Sequence, residues 1–367
     1  MIIMDIKIDN FFAFRNFHMN MSYPKKIVDS TIDCEYLKER PNFRYKKVNI
    51  LMGGNATGKT SLGKMLMLFT NYCKDELYSR FLSAINDIER PAFLAVDFVT
   101  TENILYRFQL SIFPESDPSC EEDRVHTCLL SEEIGPKDSY ESCSRKFNKS
   151  KESNINIKNI NTTGWHFAYP EDTVPAKLYH SIEDNPRYLL ILERILKTLD
   201  PSIQEVIRVK EVENTYAIKL ENRSVLIQDG KIMETDVLSS GTKAGLRISY
   251  IIASLYCDIH LLYYCDELFS YVNSDIEKVC LSIIIDMLKD QKQLFFTTHN
   301  TDILDMQLPK HSFTFLKKDV KDQNEPIKCI YASDFLKRNT DSLKHAVEND
   351  LFSVSPDLEQ MYEILNL

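Results

Sequence analysis

The chain has 367 residues and a formal net charge of -10, with 44% hydrophobic and 27% charged residues, the profile of an ordinary folded protein for which one core with a sizeable insertion is expected. The acidic balance excludes bulk electrostatic adhesion to nucleic acid or an anionic membrane surface, so any nucleic-acid contact must be a local site. The nine cysteines form no C-x-x-C pair or zinc-ligand cluster, and no stretch has the profile of a signal peptide or membrane span; reduced thiols in a soluble, cytoplasmic protein without membrane contact are expected.

In chain order, Ile2 to Ile8 and the following FFAFRNF predict a strand, a turn and a second strand, and KVNILM (47–52) predicts a buried strand. Lys59 to Tyr72 has helical spacing, with Leu62, Met65, Leu66 and Phe69 on one face. Between about Asp75 and Asp236 the character changes. AFLAVDFV and NILYRFQLSI read as strands, and a polar tract follows. Within it, Lys137 to Lys158 holds six basic and three acidic residues and almost no large aliphatics, which predicts a mobile loop or insertion. Tyr188 to Leu199 reads as a helix that stops before Pro201, and NTYAIKL with SVLIQDG as a hairpin. The last third alternates regularly: a helix over Thr242–Tyr256, a strand over His260–Cys265, a helix over Asp275–Leu288 and a strand over Gln293–Thr297. Such alternation predicts an α/β fold with a mostly parallel central sheet flanked by helices.

The segment GGNATGKTS fits G-x-x-x-x-G-K-[ST], and four of the nine glycines lie between Gly53 and Gly63. A strand that must turn sharply enough to aim successive backbone N–H groups at one phosphate chain needs glycine, which bends without a Cβ in the way. Gly53, Gly54, Asn55, Ala56, Thr57, Gly58, Lys59, Thr60 and Ser61 are therefore candidate ATP-binding residues. Lys59 would reach the β- and γ-phosphates, Thr60 would ligate Mg²⁺, and the helix N-terminus would add its positive dipole end. HLLYYCDE ends an apolar strand in two carboxylates: beside a phosphate loop, Asp266 would hold Mg²⁺ and Glu267 would orient the attacking water. LFFTTHN is a further apolar strand, whose C-terminal end carries His299 at the sheet edge where ligands sit in open α/β folds. There it can donate to a γ-phosphate. The other histidines, His18, His126, His166, His180, His260, His311 and His345, read as ordinary surface or core residues.

VLSSGTKAGLRI (237–248) places two more glycines in a polar turn that opens into an apolar helix. Ser239, Ser240 and Gly241 make a helix-start anion site with no phosphate of its own nearby in sequence. Taken in order, phosphate loop, Ser-Ser-Gly turn, Asp-Glu strand end and strand-end histidine, the chain resembles the ABC-type ATPase fold, and VLSSGT is similar to that family's signature motif. The resemblance implies an ATP sandwich, in which the signature caps the γ-phosphate of an ATP held by a second subunit.

Several residues depart from transporter ATPases. The signature is SSGT, with Gly241 alone in the glycine role and Thr242 where glutamine is usual. No glutamine loop stands out between the phosphate loop and the signature, where Gln109 is a candidate, and Asn273 is the residue left to match the inter-subunit loop after LFSYV. These departures are similar to the OLD, RecF and SMC branch, called AAA15-type or AAA21-type proteins. IKIDNFFAFRNF resembles the start of that branch and makes Arg15 a residue to watch. The tail from Phe335 resembles defence ATPases such as the ATPase subunit of PARIS-type systems.

The expected division is residues 1–75, an N-terminal lobe with the phosphate loop; 76–235, sheet strands with an inserted lid or helical subdomain; 236–335, a lobe with signature, Asp-Glu pair and His299; and 336–367, a tail. The resemblance implies an ATP- and Mg²⁺-dependent sensor ATPase of a bacterial anti-phage system. It would assemble as a homo-oligomer, respond to a phage-encoded trigger and control a separate effector. OLD-like relatives carry a TOPRIM nuclease needing a D-x-D pair; this chain has none and only 68 residues follow His299, so a nuclease is expected on a separate protein. The alternative is a DNA-repair ATPase of the RecF or SMC kind that binds DNA.

Overall fold

The computed structural model describes residues 1–115, 124–150, 152–153, 155–160, 162, 164–169, 186–229, 231–234, 237–338, 341–353 and 359–364. His180, Asp236 and residues 170–185 of the expected insertion lie outside the described residues.

At the centre is a six-stranded sheet, whose strands are numbered here in chain order: β1 (Val48–Met52), β2 (Trp165–Ala168), β3 (Leu262–Asp266), β4 (Gln293–Thr297), β5 (Phe313–Lys318) and β6 (Ile327–Tyr331). Their spatial order is β6-β5-β1-β4-β3-β2, and every pair is parallel except β5 with β6. β1, β3 and β4 are buried along their whole length, as parallel strands covered on both faces must be. Successive residues point to opposite layers. Leu51, Leu262, Tyr264 and Phe295 pack with Leu62, Met65, Leu66 and Phe69 of helix α1 (Lys59–Asp75). Ile50, Met52, Tyr263, Cys265, Leu294 and Phe296 pack instead with two helices that α2 (Pro186–Leu199) precedes in the chain: α3 (Ser240–Tyr256) and α4 (Ser274–Met287). Each of these large α1 side chains contributes about 1.5–3 kcal/mol by leaving water.

A second, antiparallel sheet joins Phe17–Asn20, Ile2–Asp9, Ala92–Val99, Ile104–Ile112 and Val125–Glu133 in that spatial order. It is stitched to the central sheet by the buried Gln293 amide, which accepts from Ile3 N at 2.8 Å and donates to Ile3 O at 3.0 Å and Lys46 O at 3.2 Å. The predicted hairpin is present as Thr215–Leu220 and Ser224–Gln228, extended by Ile203–Arg208 on one side and Lys231–Ile232 on the other. Its inner face packs with α2 and α3. Instead of the single core expected from length, four apolar clusters occur among the described residues: α1 joins the central and large antiparallel sheets in one, and the second face of the central sheet, the small sheet and the outer face of the large antiparallel sheet each have their own.

One expectation is corrected. Residues 137–158 are not a mobile loop where they are described: Tyr140–Ser144 is a short helix, Arg145–Lys149 and Ile157–Asn159 are helical turns, and Tyr140, Cys143, Phe147 and Ile157 are buried. Four well-spaced apolar residues suffice because they fill gaps over an existing sheet. Tyr140 also donates from its hydroxyl to Asp97 at 2.8 Å, and Asp97 is held by both ends of the Arg107 guanidinium at 2.7 Å. The four-residue β2, from the same middle stretch, escaped the sequence reading and is the edge strand of the central sheet.

Candidate functional site

β1, β4 and β3 are adjacent and parallel, so their C-terminal ends open on one edge of the sheet. That edge gathers the phosphate loop, Thr297 to His299, and Asp266 with Glu267. Gly53 has φ 150° and Gly58 φ 98°, while Ala56 takes φ 58°. A Cβ on Gly53 would lie 2.4 Å from Leu316 O, and one on Gly58 2.9 Å from the Phe14 ring. The loop is therefore pressed between β5 and the turn that carries Arg15, which puts Arg15 one residue from a wall of the loop. Arg15 itself is half-buried. Among the described residues, the backbone N–H groups of residues 54–58 meet no protein acceptor. Orphaned N–H groups in a glycine-bent loop ahead of a helix are the donor set that a phosphate chain needs.

Lys59 is buried and folds back over the loop, its Nζ donating to Gly53 O at 3.0 Å and Gly54 O at 3.1 Å. Burial pulls its ammonium below the usual lysine range, and the nearby Glu267 carboxylate, 3.4 Å away, works in the opposite direction. The Lys59 carbonyl in turn accepts from the Tyr264 hydroxyl at 2.5 Å. Helix α1 is thereby fastened to β3, and the spacing between lysine and carboxylates is set.

Asp266 is buried at the end of β3. Its Oδ2 accepts from Thr60 Oγ1 at 2.6 Å and its Oδ1 from Thr297 Oγ1 at 2.7 Å. Burial raises its carboxyl above the ordinary aspartate range, with the two hydroxyls opposing that rise. A threonine hydroxyl and a carboxylate in direct contact form a hard-oxygen pair suited to Mg²⁺, which typically takes few protein ligands and completes its shell with water and phosphate. Accordingly, no group of three or more His, Cys, Asp or Glu side chains suited to a metal occurs among the described residues.

Glu267 has φ 46°, a left-handed conformation that costs a non-glycine residue about 1–2 kcal/mol. It is held there by its own N–H, which donates to Thr297 Oγ1 at 2.9 Å and lies 3.3 Å from Thr297 O. The turn swings the carboxylate off the strand, so that Oε1 lies 2.7 Å from His299 Nε2. The same nitrogen is 3.2 Å from Lys59 Nζ. Lys59, Glu267 and His299 thus converge, with Glu267 and His299 partly open to solvent at 29% and 40%.

Sequence reasoning missed the residues that hold this arrangement. Thr297 bridges Asp266 and Glu267. Behind His299, the buried Glu277 of α4 accepts from Thr298 Oγ1 at 2.8 Å and from Asn300 Nδ2 at 2.7 Å, while Ser274 joins Asn300 to Asp302. The polar run TTHNTD flanking His299 was the available signal. Gln109 lies in mid-strand, paired with Ala95 and Cys128, and so occupies no loop. Asn273 is the N-cap of α4, its side chain accepting from Asp275 N.

The signature residues stand apart. Ser239 caps α3, its Oγ accepting from Thr242 N at 3.1 Å and lying 2.8 Å from Thr242 Oγ1. Ser239 and Ser240 are exposed. No hydrogen bond or ion pair joins Ser239, Ser240 or Gly241 to the phosphate loop among the described residues. The two glycines of this stretch have different reasons. A Cβ on Gly241 would sit 3.0 Å from Tyr271 O, in the turn after Asp266-Glu267, and one on Gly245 would meet Leu199 Cδ1 at 2.5 Å, where α2 crosses α3. Gly241 therefore seats the signature turn against the carboxylate-bearing loop, whereas Gly245 serves packing.

No curated protein matches the chain. Among solved structures it is similar to "Crystal structure of the SmcHead bound to the C-winged helix domain of ScpA", with TM-score 0.53 and 11% identity over 92% of this chain and 100% of that one. It is also similar, at lower scores, to "SMC head domain from Thermotoga maritima" (TM-score 0.42, 9% identity, 90% and 99% covered) and "Structure of the recombination mediator protein RecF-ATPrS in RecFOR pathway" (0.40, 10%, 86% and 96%). The first of these likenesses shows that the chain shares the fold of the Smc head. Residues 48–305, from the start of β1 to just beyond His299, match the model of the family described as "AAA domain, putative AbiEii toxin, Type IV TA system", and the chain belongs to that family of P-loop ATPases.

Proposed function

We propose that this chain binds and hydrolyses ATP with Mg²⁺ at the β1/β3/β4 edge, in an assembly where the signature turn of one copy covers the ATP of another. The observation that carries this reading is the contrast between two ends of one active centre. Lys59, Asp266, Glu267, His299 and Thr60 are gathered in one chain, while the anion-binding helix start at Ser239–Gly241 is exposed and bonds to none of them. The N–H groups of residues 54–58 and Lys59 would grip the phosphates, and Thr60 and Asp266 would hold the metal. Mg²⁺ bound there neutralises charge that develops on the phosphate oxygens. Glu267, placed by Thr297, accepts a hydrogen bond from the attacking water and aims it; His299 donates to the γ-phosphate end and so registers whether it is present.

Two copies are the minimum such an assembly requires. We further infer that it is a sensor in an anti-phage system and acts on a separate effector, for which the resemblance of the tail from Phe335 to defence ATPases is the support. The inserted middle and the tail beyond Phe335 are the candidate regions for contacts with trigger and effector. A second reading, a clamp ATPase on DNA, is favoured by the fold shared with the Smc head, and salt-dependent binding to duplex DNA in ATP would select it. The core of the proposal is tested with Glu267→Gln. Hydrolysis should fall by about a hundredfold or more while ATP still binds, and an ATP-bound oligomer should accumulate on sizing with light scattering. An oligomer indifferent to nucleotide in both wild type and variant would sink it.

A further inference from the structure

The opposite edge of the central sheet carries a second polar cleft that the ATP site does not use. Residues Gln307–His311 lead into the N-terminal end of β5, and Ser333–Lys337 follow β6, whose last residue Tyr331 pairs with Thr314 at that same end. The phosphate loop leaves from the other end of the neighbouring β1, since Phe313 pairs with Ile50 and Phe315 with Met52. The third wall is the loop Tyr23–Thr31, tied across by the Thr31 hydroxyl donating to Gln307 O at 2.7 Å. Together they enclose a cavity of about 440 Å³.

The charge of this cleft runs against that of the chain. Lys25, Lys26, Lys310 and Lys337 line it against one carboxylate, Asp29, in a protein of net charge -10. Among the described residues, no carboxylate lies within 4 Å of the ammonium groups of Lys25, Lys26 or Lys337; Lys337 donates to a backbone carbonyl, Ser333 O, and Lys310 to Arg338 O with Asp341 3.9 Å away. The carboxylate behind the cleft, Glu35, is fully engaged, with His311 Nε2 at 2.6 Å from one oxygen and the Ser30 hydroxyl donating to the other at 2.6 Å. Tyr23, tilted by 30° against His311 with ring centroids 4.4 Å apart, adds an aromatic wall. Four cationic side chains that line one concavity with a single carboxylate among them offer an anion an excess of positive charge. A half-open concavity of this size suits a small molecule better than a duplex, which an acidic protein repels as a whole.

We propose that this cleft binds a phosphorylated small molecule, holding its phosphate oxygens with Lys25, Lys26, Lys310 and Lys337 independently of the phosphate loop. The recognised group is phosphate; it arrives either as a free polyphosphate or on a nucleotide whose base meets the Tyr23 wall. The test is calorimetric titration of the full chain with inorganic tripolyphosphate and with ADP, in wild type, Lys59→Ala and the double variant Lys25→Glu/Lys26→Glu. Wild type should show a second, independent site; Lys59→Ala should keep the cleft site, and the double variant should weaken it by about tenfold or more. Both lysines are exposed and unpaired, so the double variant should melt like wild type. ADP binding more tightly than tripolyphosphate at the surviving site of Lys59→Ala assigns the nucleotide source, and equal binding assigns polyphosphate. A single site in wild type, a second site indifferent to Lys25 and Lys26, or duplex DNA displacing tripolyphosphate from the cleft would each overturn the proposal.

Discussion

Two helix starts, the one proposed to bind phosphate and the one proposed to cover it, differ in nearly everything else. The first, at Gly58–Thr60, is enclosed. Its lysine is buried over the loop, its threonine is bonded to Asp266, and β3 and β4 supply the groups that surround it. The second, at Ser239–Gly241, is capped by Ser239, exposed at both serines, and set against the rest of the centre where Gly241 packs on Tyr271 O. In the proposed reading the first grips and reacts, whereas the second, which bonds to no group of that centre among the described residues, covers an anion held by another copy. The difference teaches that enclosure within one chain and completeness of a site are separate properties, and that assembly can supply the second.

Breaking the enclosed start should have the largest effect. Lys59→Ala removes the ammonium that lies on both loop carbonyls and beside Glu267, and ATP affinity should fall by roughly a hundredfold; titration with a fluorescent ATP analogue checks this, and unchanged affinity would show that the loop does not grip phosphate. Thr297→Val keeps the side-chain volume but leaves Asp266 Oδ1 and the Glu267 N–H without their shared partner. A loss of about 1–3 kcal/mol should appear as roughly tenfold or greater slowing of hydrolysis, with ATP affinity in the absence of Mg²⁺ nearly unchanged. The exposed start should respond differently at each serine. Ser239→Ala removes a helix cap and should cost about 1 kcal/mol of stability, a shift readable in a thermal melt. Ser240→Ala, with no bond to lose in its own chain, should leave the melt alone yet weaken the ATP-dependent oligomer; the reverse pattern would make the turn a purely structural helix start.

How far the sequence could be read followed what each element depends on. The phosphate loop, α1 and the strands β1, β3 and β4 were legible because glycine spacing, helical periodicity and unbroken apolar runs are local properties. The polar residues that set the site were not. Thr297, Thr298, Glu277 and Asn300 are ordinary in sequence, and acquire meaning only because parallel pairing places Asp266 opposite Thr297. Likewise, residues 137–158 looked unstructured because their few large side chains cover a sheet made elsewhere. Trp165–Ala168 is too short to declare itself as a strand before β3 offers it an edge. Glu267 is intermediate: its chemistry was readable, but the left-handed backbone that aims it was not.

The central claim, that one chain's signature completes another chain's phosphate site, is tested most directly by mixing two defective proteins. Lys59→Ala lacks a working phosphate loop but keeps its signature, and Ser240→Glu keeps its phosphate loop but sets a negative charge where the γ-phosphate of another copy should lie. Each alone should be nearly inactive in steady-state hydrolysis while melting like wild type. The account predicts that the mixture regains a substantial part of wild-type activity, because the intact loop of one protein is then covered by the intact signature of the other. Full activity of Ser240→Glu alone, or a mixture as inactive as its folded components, would contradict it.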